Sequence, residues 1–170
     1  MAHRLKGLSS RIALRRVSAS DRDFLLQVYA STRDEELAPV PWTDAEKAAF
    51  IEQQFEAQDA HYRTYPDATF DVVGVDGEPA GRLYVARWPE EIRIMDIALL
   101  PEYRNRGIGT HLLRELLDEA AATGRRLSIH VEKFNRARSL YERLGFRETL
   151  DRGVYVLLEA TPQLAAAGGA

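Results

Sequence analysis

The sequence contains no cysteine, and this absence removes several classes of chemistry at once. Without a thiol there is no disulfide framework, no cysteine nucleophile to carry an acyl group and no cysteine-ligated zinc site. The composition suits a reducing compartment, so we expect a cytoplasmic protein. Long apolar runs are also missing, since no segment reaches the roughly 18 apolar residues of a membrane span. Residues 1–11 are basic and lack the apolar core of a signal peptide, so we expect no membrane association.

An excess of positive charge is lacking as well. The 170 residues carry a formal net charge of −3, whereas proteins held on nucleic acids mainly through phosphates are normally basic. We therefore expect no nucleic-acid partner. The hydrophobic content of 45 % is ordinary for a globular domain of this length. We predict one domain over residues 11–160, a polar leader over 1–10 and a disordered tail over 161–170, which is rich in alanine and glycine.

Hydrophobic periodicity predicts a mixed α/β (α+β) fold, with a mostly antiparallel sheet of about six to seven strands and about four helices. Two early helices each begin at a capping box, Ser20 with Asp23 and Thr43 with Glu46. A turn at Asp76-Gly77 joins two of the strands. The predicted strands are 11–17, 69–75, 79–88, 91–100, 126–132 and a closing hairpin that ends at 159; the predicted helices are 20–33, 43–62, 107–123 and a short one after Asn135.

The strand predicted over 91–100 changes the side on which its apolar residues fall. Ile92 and Ile94 alternate with charged residues, and the apolar pattern then passes to Met95, Ile97 and Leu99. Such a change within one strand predicts a β-bulge, which frees backbone groups from the ladder.

The rest of the chain is organised around the basic turn that follows this strand and contains two glycines at the start of a helix. Glycine lets the backbone approach a ligand closely. The first amides of a helix lack internal partners and lie at the positive end of its dipole. The turn therefore predicts an anion site suited to a phosphate or pyrophosphate, although simple turn glycines and solvated arginines are the alternative. It consists of Arg104, Asn105, Arg106, Gly107, Ile108, Gly109 and Thr110.

Two segments together resemble a known family. One is Ala98-Leu-Leu-Pro-Glu-Tyr-Arg-Asn-Arg-Gly-Ile-Gly109, and the other combines Asn135, Ala137, Tyr141 and Leu144-Gly145-Phe146. In these elements and at this separation they resemble the GNAT superfamily of N-acetyltransferases, over about residues 11–159. The resemblance implies a splay in the sheet and an acyltransferase that moves acetyl from acetyl-CoA to a primary amine, by direct attack in a ternary complex and without a metal. The acceptor, a small molecule or a peptide, is not specified, and monomer and homodimer both remain open.

The resemblance also implies roles for individual residues on the acetyl-CoA side. The amides of the turn would wrap the pyrophosphate, and the strand edge at Ile97, Leu99 and Leu100 would pair with the pantetheine arm. Asn135 would cap its helix and contact that arm. The Leu99 amide at the bulge would hold the oxyanion. The Tyr141 hydroxyl would give a proton to the leaving thiolate, with a simple core role as the alternative.

A base must take a proton from the acceptor ammonium before attack. Some family members carry a glutamate eleven residues before the loop arginine, where this sequence has Arg93. The candidate bases are therefore Asp96, directly or through water, and His130; a buried polar pair of the two is the alternative. Glu90 and Glu91 are expected to be solvated. The candidate contacts to the acceptor are His61, Tyr62, Tyr84 and Trp88.

Two other functions remain compatible with the sequence. A domain of this type could hold CoA or acyl-CoA without turnover, as a sensor or regulator, and the absent strand glutamate favours this reading. A nucleotide-binding domain could use the same glycine turn for another phosphate.

Overall fold

The computed structural model describes residues 11–161, and these contain seven strands and four α-helices. The strands are β1 (Ile12–Arg16), β2 (Ala68–Val75), β3 (Glu78–Arg87), β4 (Glu91–Leu99), β5 (Arg126–Glu132), β6 (Arg147–Asp151) and β7 (Tyr155–Ala160). The helices are α1 (Arg22–Leu37), α2 (Asp44–Tyr62), α3 (Ile108–Thr123) and α4 (Arg138–Arg143), with 3₁₀ turns at Ala19–Asp21 and Pro101–Tyr103. The predicted leader and, apart from Thr161, the predicted tail lie outside the described residues. Within residues 11–161, no helix is both long enough and apolar enough to cross a membrane.

All seven strands belong to one sheet, in the order β1-β2-β3-β4-β5-β7-β6. Neighbouring strands are antiparallel except for β4 and β5, which run parallel because α3 carries the chain back before β5 begins. The predicted mixed, mostly antiparallel sheet with about four helices is therefore confirmed.

Helices cover both faces of the sheet. On the first face, α1 and α2 meet through Leu25, Tyr29 and Phe55. On the second face, α3 and α4 pack over the main core. The stripe that α3 buries has the spacing of one helix face and consists of Leu112, Leu113, Leu116 and Ala120.

The start and the end of α1 differ from the prediction. The capping box uses Ser18 and Asp21 rather than Ser20 and Asp23. Asp21 forms the capping box because its carboxylate is buried and also binds Arg15, whereas Asp23 is exposed and does not bind Arg15. The helix continues to Leu37, four residues beyond the predicted end, because the first proline after its start stands only at position 39.

The predicted bulge lies at Met95. Tyr84 of β3 lies opposite Asp96 of β4, but Val85 lies opposite Ile94, so Met95 is the extra residue on β4. The parallel pairing of β4 with β5 ends at Ile94, although both strands continue. A gap therefore opens between the ends of β4 and β5, as predicted, and we call this gap the splay.

Candidate active site

The open edge of β4 presents backbone amides to the splay. The Leu100 amide donates to the Ala80 carbonyl of β3 (2.8 Å). Since amides point alternately to the two sides of an antiparallel strand, those of Ile97 and Leu99 point toward the splay. The Leu100 carbonyl accepts from Tyr103 (2.9 Å), so Leu100 has no backbone group free for the predicted pairing with a ligand.

Leu99 differs from the prediction in its position relative to the bulge. It lies four residues beyond Met95, in regular pairing with Gly81. Its amide faces the splay because β5 has already diverged from β4, and not because the bulge releases it.

The loop after β4 bends through left-handed backbone conformations at Asn105 (φ 60°) and Gly107 (φ 82°). No side chain of residues 11–161 caps α3, so the amides of its first turn, from Ile108 to Thr110, have no capping partner there. A Cβ added at Gly109 would meet no atom of the described residues within 4 Å. Packing within the protein therefore does not require glycine at this position. Open space beside free helix amides fits a pyrophosphate group.

The arginines of this loop make contacts within the protein. Arg104 donates from Nε to the Leu99 carbonyl (3.0 Å) and from Nη2 to Ser31 Oγ on α1 (3.2 Å). The Arg106 guanidinium lies 5.8 Å from the centre of the Tyr103 ring. Arg104 thus braces the edge of β4 against α1, and the free amides of the loop remain the main anion-binding groups.

Tyr141 lies in α4 on the second face and is 6 % exposed. Its ring meets Phe146 edge-on, with 5.6 Å between centroids. Within residues 11–161 its hydroxyl has no hydrogen-bond partner. Burial, and then the negative charge of Asp96, raise the pKa of Tyr141 to about 12. The hydroxyl is therefore protonated at neutral pH and can donate.

Asn135 lies two residues before the N-cap residue of α4, which is Ala137 and has no side-chain cap, so Asn135 stabilises the turn before the helix rather than capping it as predicted. Its side-chain oxygen accepts from the Ala137 amide (2.8 Å) and its carbonyl accepts from the Arg138 amide (3.1 Å). These bonds fix the start of α4 and hence the position of Tyr141.

Asp96 is the centre of a polar network on the first face. Arg82 donates from Nε to Oδ1 (3.2 Å) and from Nη2 to Oδ2 (2.8 Å) of Asp96. The Tyr62 hydroxyl also donates to Oδ2 (2.9 Å). Burial, with the charge of Asp96, raises the pKa of Tyr62, so this hydroxyl remains a donor. Asp96 does not form the buried pair with His130 that we considered as an alternative.

The predicted acceptor contacts form two groups. Tyr62 and Tyr84 meet edge-on beside Asp96 (5.8 Å between centroids), with His61 next to Tyr62 at the exposed end of α2. Tyr84 is fully buried, and within the described residues its hydroxyl has no hydrogen-bond partner. Trp88 lies apart, because its indole N–H donates to the Pro66 carbonyl (3.0 Å) and its ring stacks on Tyr65.

His130 contacts Arg93, which donates from Nη1 to His130 Nδ1 (3.2 Å). Because a guanidinium only donates, Nδ1 is the acceptor and the proton of the neutral imidazole lies on Nε2. Burial, and then the charges of Arg93 and Arg152, lower the pKa of His130 below 6.5. His130 is therefore neutral at pH 7, and its one basic nitrogen is already engaged.

Glu91 corrects the prediction that it is solvated. It is 8 % exposed and pairs with Arg93 (3.3 Å) and Arg126 (3.4 Å). Burial opposes its ionisation, but Ser128 and the two arginines together lower its pKa.

The sequence analysis missed Arg82, which is 2 % exposed and holds Asp96 in place. The available signal was the single arginine within the apolar segment Gly81-Arg-Leu-Tyr-Val-Ala86. In the structure this arginine binds Asp96 on the neighbouring strand β4. Among residues 11–161, no group of three or more histidine, aspartate or glutamate side chains is arranged to hold a metal ion.

Comparisons with known proteins agree with this geometry. Residues 28–146 match the acetyltransferase (GNAT) family. The chain is 32 % identical over 146 residues to a candidate alanine N-acetyltransferase of ribosomal protein bS18 from Bacillus subtilis (strain 168), covering 82 % of this chain and 83 % of that protein. It is 37 % identical over 95 residues to streptothricin acetyltransferase of Streptomyces lavendulae, covering 54 % and 48 %.

Solved structures share the fold. PaiA N-acetyltransferase from Thermoplasma acidophilum, solved in complex with coenzyme A, superposes with a TM-score of 0.67 at 19 % identity and covers 88 % of this chain and 98 % of its own. The ribosomal-protein-S18-alanine N-acetyltransferase from Escherichia coli gives 0.59 at 20 % identity, covering 92 % and 97 %. The family match over residues 28–146 and the Bacillus relative show that this chain belongs to the GNAT family of acetyltransferases.

Proposed function

We propose that this protein transfers an acetyl group from acetyl-CoA to a primary amine, by direct attack while both substrates are bound. The observation that carries the proposal is the two-sided splay. The amides of Ile97 and Leu99 point into the splay, the first amides of α3 and Tyr141 lie on the second face, and the Asp96 network lies on the first face. Acetyl-CoA supplies an activated acetyl thioester, and the absence of cysteine leaves no thiol to carry the acetyl group in between.

On the acetyl-CoA side, backbone groups do the binding. The amides from Ile108 to Thr110 bind the pyrophosphate, helped by the positive end of the α3 dipole. The edge of β4 at Ile97 and Leu99 pairs with the pantetheine arm. The Leu99 amide is held rigidly by the sheet and donates to the carbonyl oxygen as charge develops on it.

Tyr141 donates a proton to the departing sulfur. Its pKa of about 12 lies above the roughly 8.5 of a thiol. The transfer is therefore unfavourable between separated groups, and its rate depends on the position in which α4 holds the hydroxyl.

Asp96 accepts the proton of the acceptor ammonium, through a water molecule. We do not assign His130 as the base, because the unprotonated nitrogen of His130 already accepts a hydrogen bond from Arg93. The carboxylate of Asp96 is held by three hydrogen bonds and still has lone pairs for a further donor.

The test is the release of CoA thiol from acetyl-CoA, followed with a colorimetric thiol reagent, across a panel of amines. The panel includes a peptide that begins with alanine and a streptothricin, because the relatives are named for such substrates. We expect amine-dependent thiol release and an acetylated product by mass spectrometry. Tight CoA binding without turnover on any amine would instead identify a sensor, and displacement of CoA by ATP at equal concentration would favour a nucleotide-binding domain.

A further inference from the structure

A second polar cluster lies on the first face of the sheet, beside the Asp96 network, and acetyl transfer as proposed gives it no role. It is built from Arg93 of β4 and from Ser128 and His130 of β5, with Glu91 and Arg152 at its margin. We propose that this cluster binds a carboxylate of the acceptor, so that the preferred substrates are primary amines that also carry a carboxylate. The inference rests on the proposed acetyl transfer and narrows its acceptor class.

The bulge places this cluster next to the reacting amine. Arg93 lies opposite Ala86 and Asp96 lies opposite Tyr84, and these two β3 residues share a face because they are two apart. Met95 therefore brings Arg93 and Asp96 onto the same face despite their odd spacing. Three strand residues span about 10 Å, so we expect the ammonium and the carboxylate of one acceptor to lie on the order of 10 Å apart.

Arg93 has hydrogen-bonding capacity left for a ligand. Its Nε donates to Ser128 Oγ (2.7 Å), Nη1 to His130 (3.2 Å) and Nη2 to Glu91 at a long 3.3 Å. A guanidinium has five N–H groups, so one on each terminal nitrogen has no acceptor within residues 11–161. A carboxylate has two oxygens and can accept from both terminal nitrogens.

His130 adds a further donor. Arg93 fixes its tautomer with the proton on Nε2, and within the described residues this N–H has no acceptor. Ser128 Oγ already accepts a hydrogen bond from Arg93, and Ser128 is fully buried. It is therefore not available as an acceptor for a cationic group of a ligand. The groups of Arg93 and His130 that remain free are therefore N–H donors, and they favour a ligand that accepts hydrogen bonds.

The net charge of the cluster also favours an anionic ligand. Arg93 and Arg126 share Glu91, and Arg126 also approaches Glu159 (3.8 Å). Arg152, close enough to His130 to affect its ionisation, has no ion-pair partner among the described residues. Three arginines thus face two glutamates, which leaves one net positive charge for an anion.

The test compares matched acceptors that differ only in this charge. Acetylation is measured for ω-amino carboxylates of increasing chain length and for the primary amide of each, which has the same length and no charge. For the chain length that fits, we expect kcat/KM to be about tenfold or more higher for the carboxylate, as a charge-assisted hydrogen-bonded pair would give. The difference should lie mainly in KM.

Two variants separate binding from a structural role. Arg93→Gln should lower kcat/KM for the carboxylate by about tenfold and for the amide by less than about threefold. Arg152→Gln, at an exposed turn, should reduce the preference by a smaller factor, and it provides a second readout if Arg93→Gln does not fold. Arg114→Gln, at an exposed position of α3 on the second face, is the matched control and should keep the preference.

The outcomes distinguish the two proposals. Equal kcat/KM for a carboxylate and its amide throughout the series, or an equal loss for both in Arg93→Gln, would overturn the carboxylate site while acetyl transfer stands. Failure of the wild-type protein to acetylate any amine would overturn both.

Discussion

Tyr141 has a structural position in the core in addition to the chemical role proposed for it. Its ring fills the main core against Phe146, while its hydroxyl has no hydrogen-bond partner within the described residues. Among residues 11–161 this oxygen is not one of the fully buried side-chain atoms without a partner, so it remains accessible and can donate to a ligand.

The role of this hydroxyl predicts the effect of Tyr141→Phe. We expect kcat to fall on the order of 100-fold, since this is within the usual contribution of a positioned acid. KM for acetyl-CoA and the thermal unfolding temperature should change little, because phenylalanine keeps the ring and no hydrogen bond within residues 11–161 is lost. Steady-state kinetics and calorimetry measure both. Tyr155→Phe, at an exposed position of β7, is the control and should match wild type; a normal kcat in Tyr141→Phe would remove the acid role.

At this scale the sequence allowed a partial prediction of the site. Tyr141 and Asp96 could be singled out because motif spacing and a strand position mark them. Arg82 could not, because its meaning depends on lying opposite β4 beside Asp96, which is set by the register of β3 on β4. The availability of the basic nitrogen of His130 likewise depends on Arg93, which lies on another strand. Histidine as a residue type suggested a base, but the contact with Arg93 occupies the nitrogen that would accept the proton.

At the scale of the elements, an ion pair between Arg15 and Asp21 joins β1 to the turn that precedes α1, and we call this ion pair the latch. Asp21 accepts two hydrogen bonds from Arg15 (both 2.8 Å) and one from the Ser18 amide (2.8 Å). The bonds from Arg15, followed by that from Ser18, hold the pKa of Asp21 well below 3.8. The latch ties the first strand to the helix that braces Arg104 through Ser31.

The sign of this pKa shift gives a pH dependence for stability. The folded protein favours ionised Asp21 more than the unfolded chain does, so the stabilisation is complete at neutral pH. It is lost as the pH falls below about 4 toward the folded pKa. We expect Asp21→Asn to lower the free energy of unfolding by about 1 kcal/mol at neutral pH and by progressively less near pH 3.

Urea unfolding at a series of pH values measures this difference. Asp23→Asn is the matched control, since it changes the residue of the originally predicted capping box, and it should alter stability little at any pH. A difference between wild type and Asp21→Asn that stays constant down to about pH 3 would contradict the latch.

Elements were the most predictable level of this structure. Amphipathic α3 and the alternating strands follow from local patterns, and the Asp76-Gly77 turn and the Thr43 capping box lie where predicted. The start of α1 was misplaced because two Ser-x-x-Asp patterns overlap, and a contact to β1 decides between them. A local sequence pattern cannot show which of two capping boxes forms when a contact with another strand determines it.

For the whole molecule, the splay is the feature that joins fold to function. It separates a backbone-lined side, with free amides and space at Gly109, from a side-chain-lined side built on Asp96 and Arg93. The first side could be predicted from a short motif, because it depends on a contiguous loop. The second side joins α2, β3, β4 and β5, and the identity of its acceptor depends on how these elements meet.

The central claim is that the start of α3 binds CoA, and Gly109→Ala tests it most directly. The added methyl group meets no atom of residues 11–161 within 4 Å, and alanine favours a helix over glycine, so stability should not fall. The same methyl group would occupy the space assigned to the pyrophosphate. Gly124→Ala, at the opposite end of α3 with a φ of 66°, is the matched control and should lower stability but leave CoA binding unchanged.

The measurement is isothermal titration calorimetry of CoA into wild type and the two variants, together with their thermal unfolding temperatures. We predict that wild type binds CoA, that Gly109→Ala binds about tenfold or more weakly with an unfolding temperature no lower than wild type, and that Gly124→Ala shows the reverse pattern. Equal CoA affinity in wild type and Gly109→Ala, or no binding by wild type, would contradict the account.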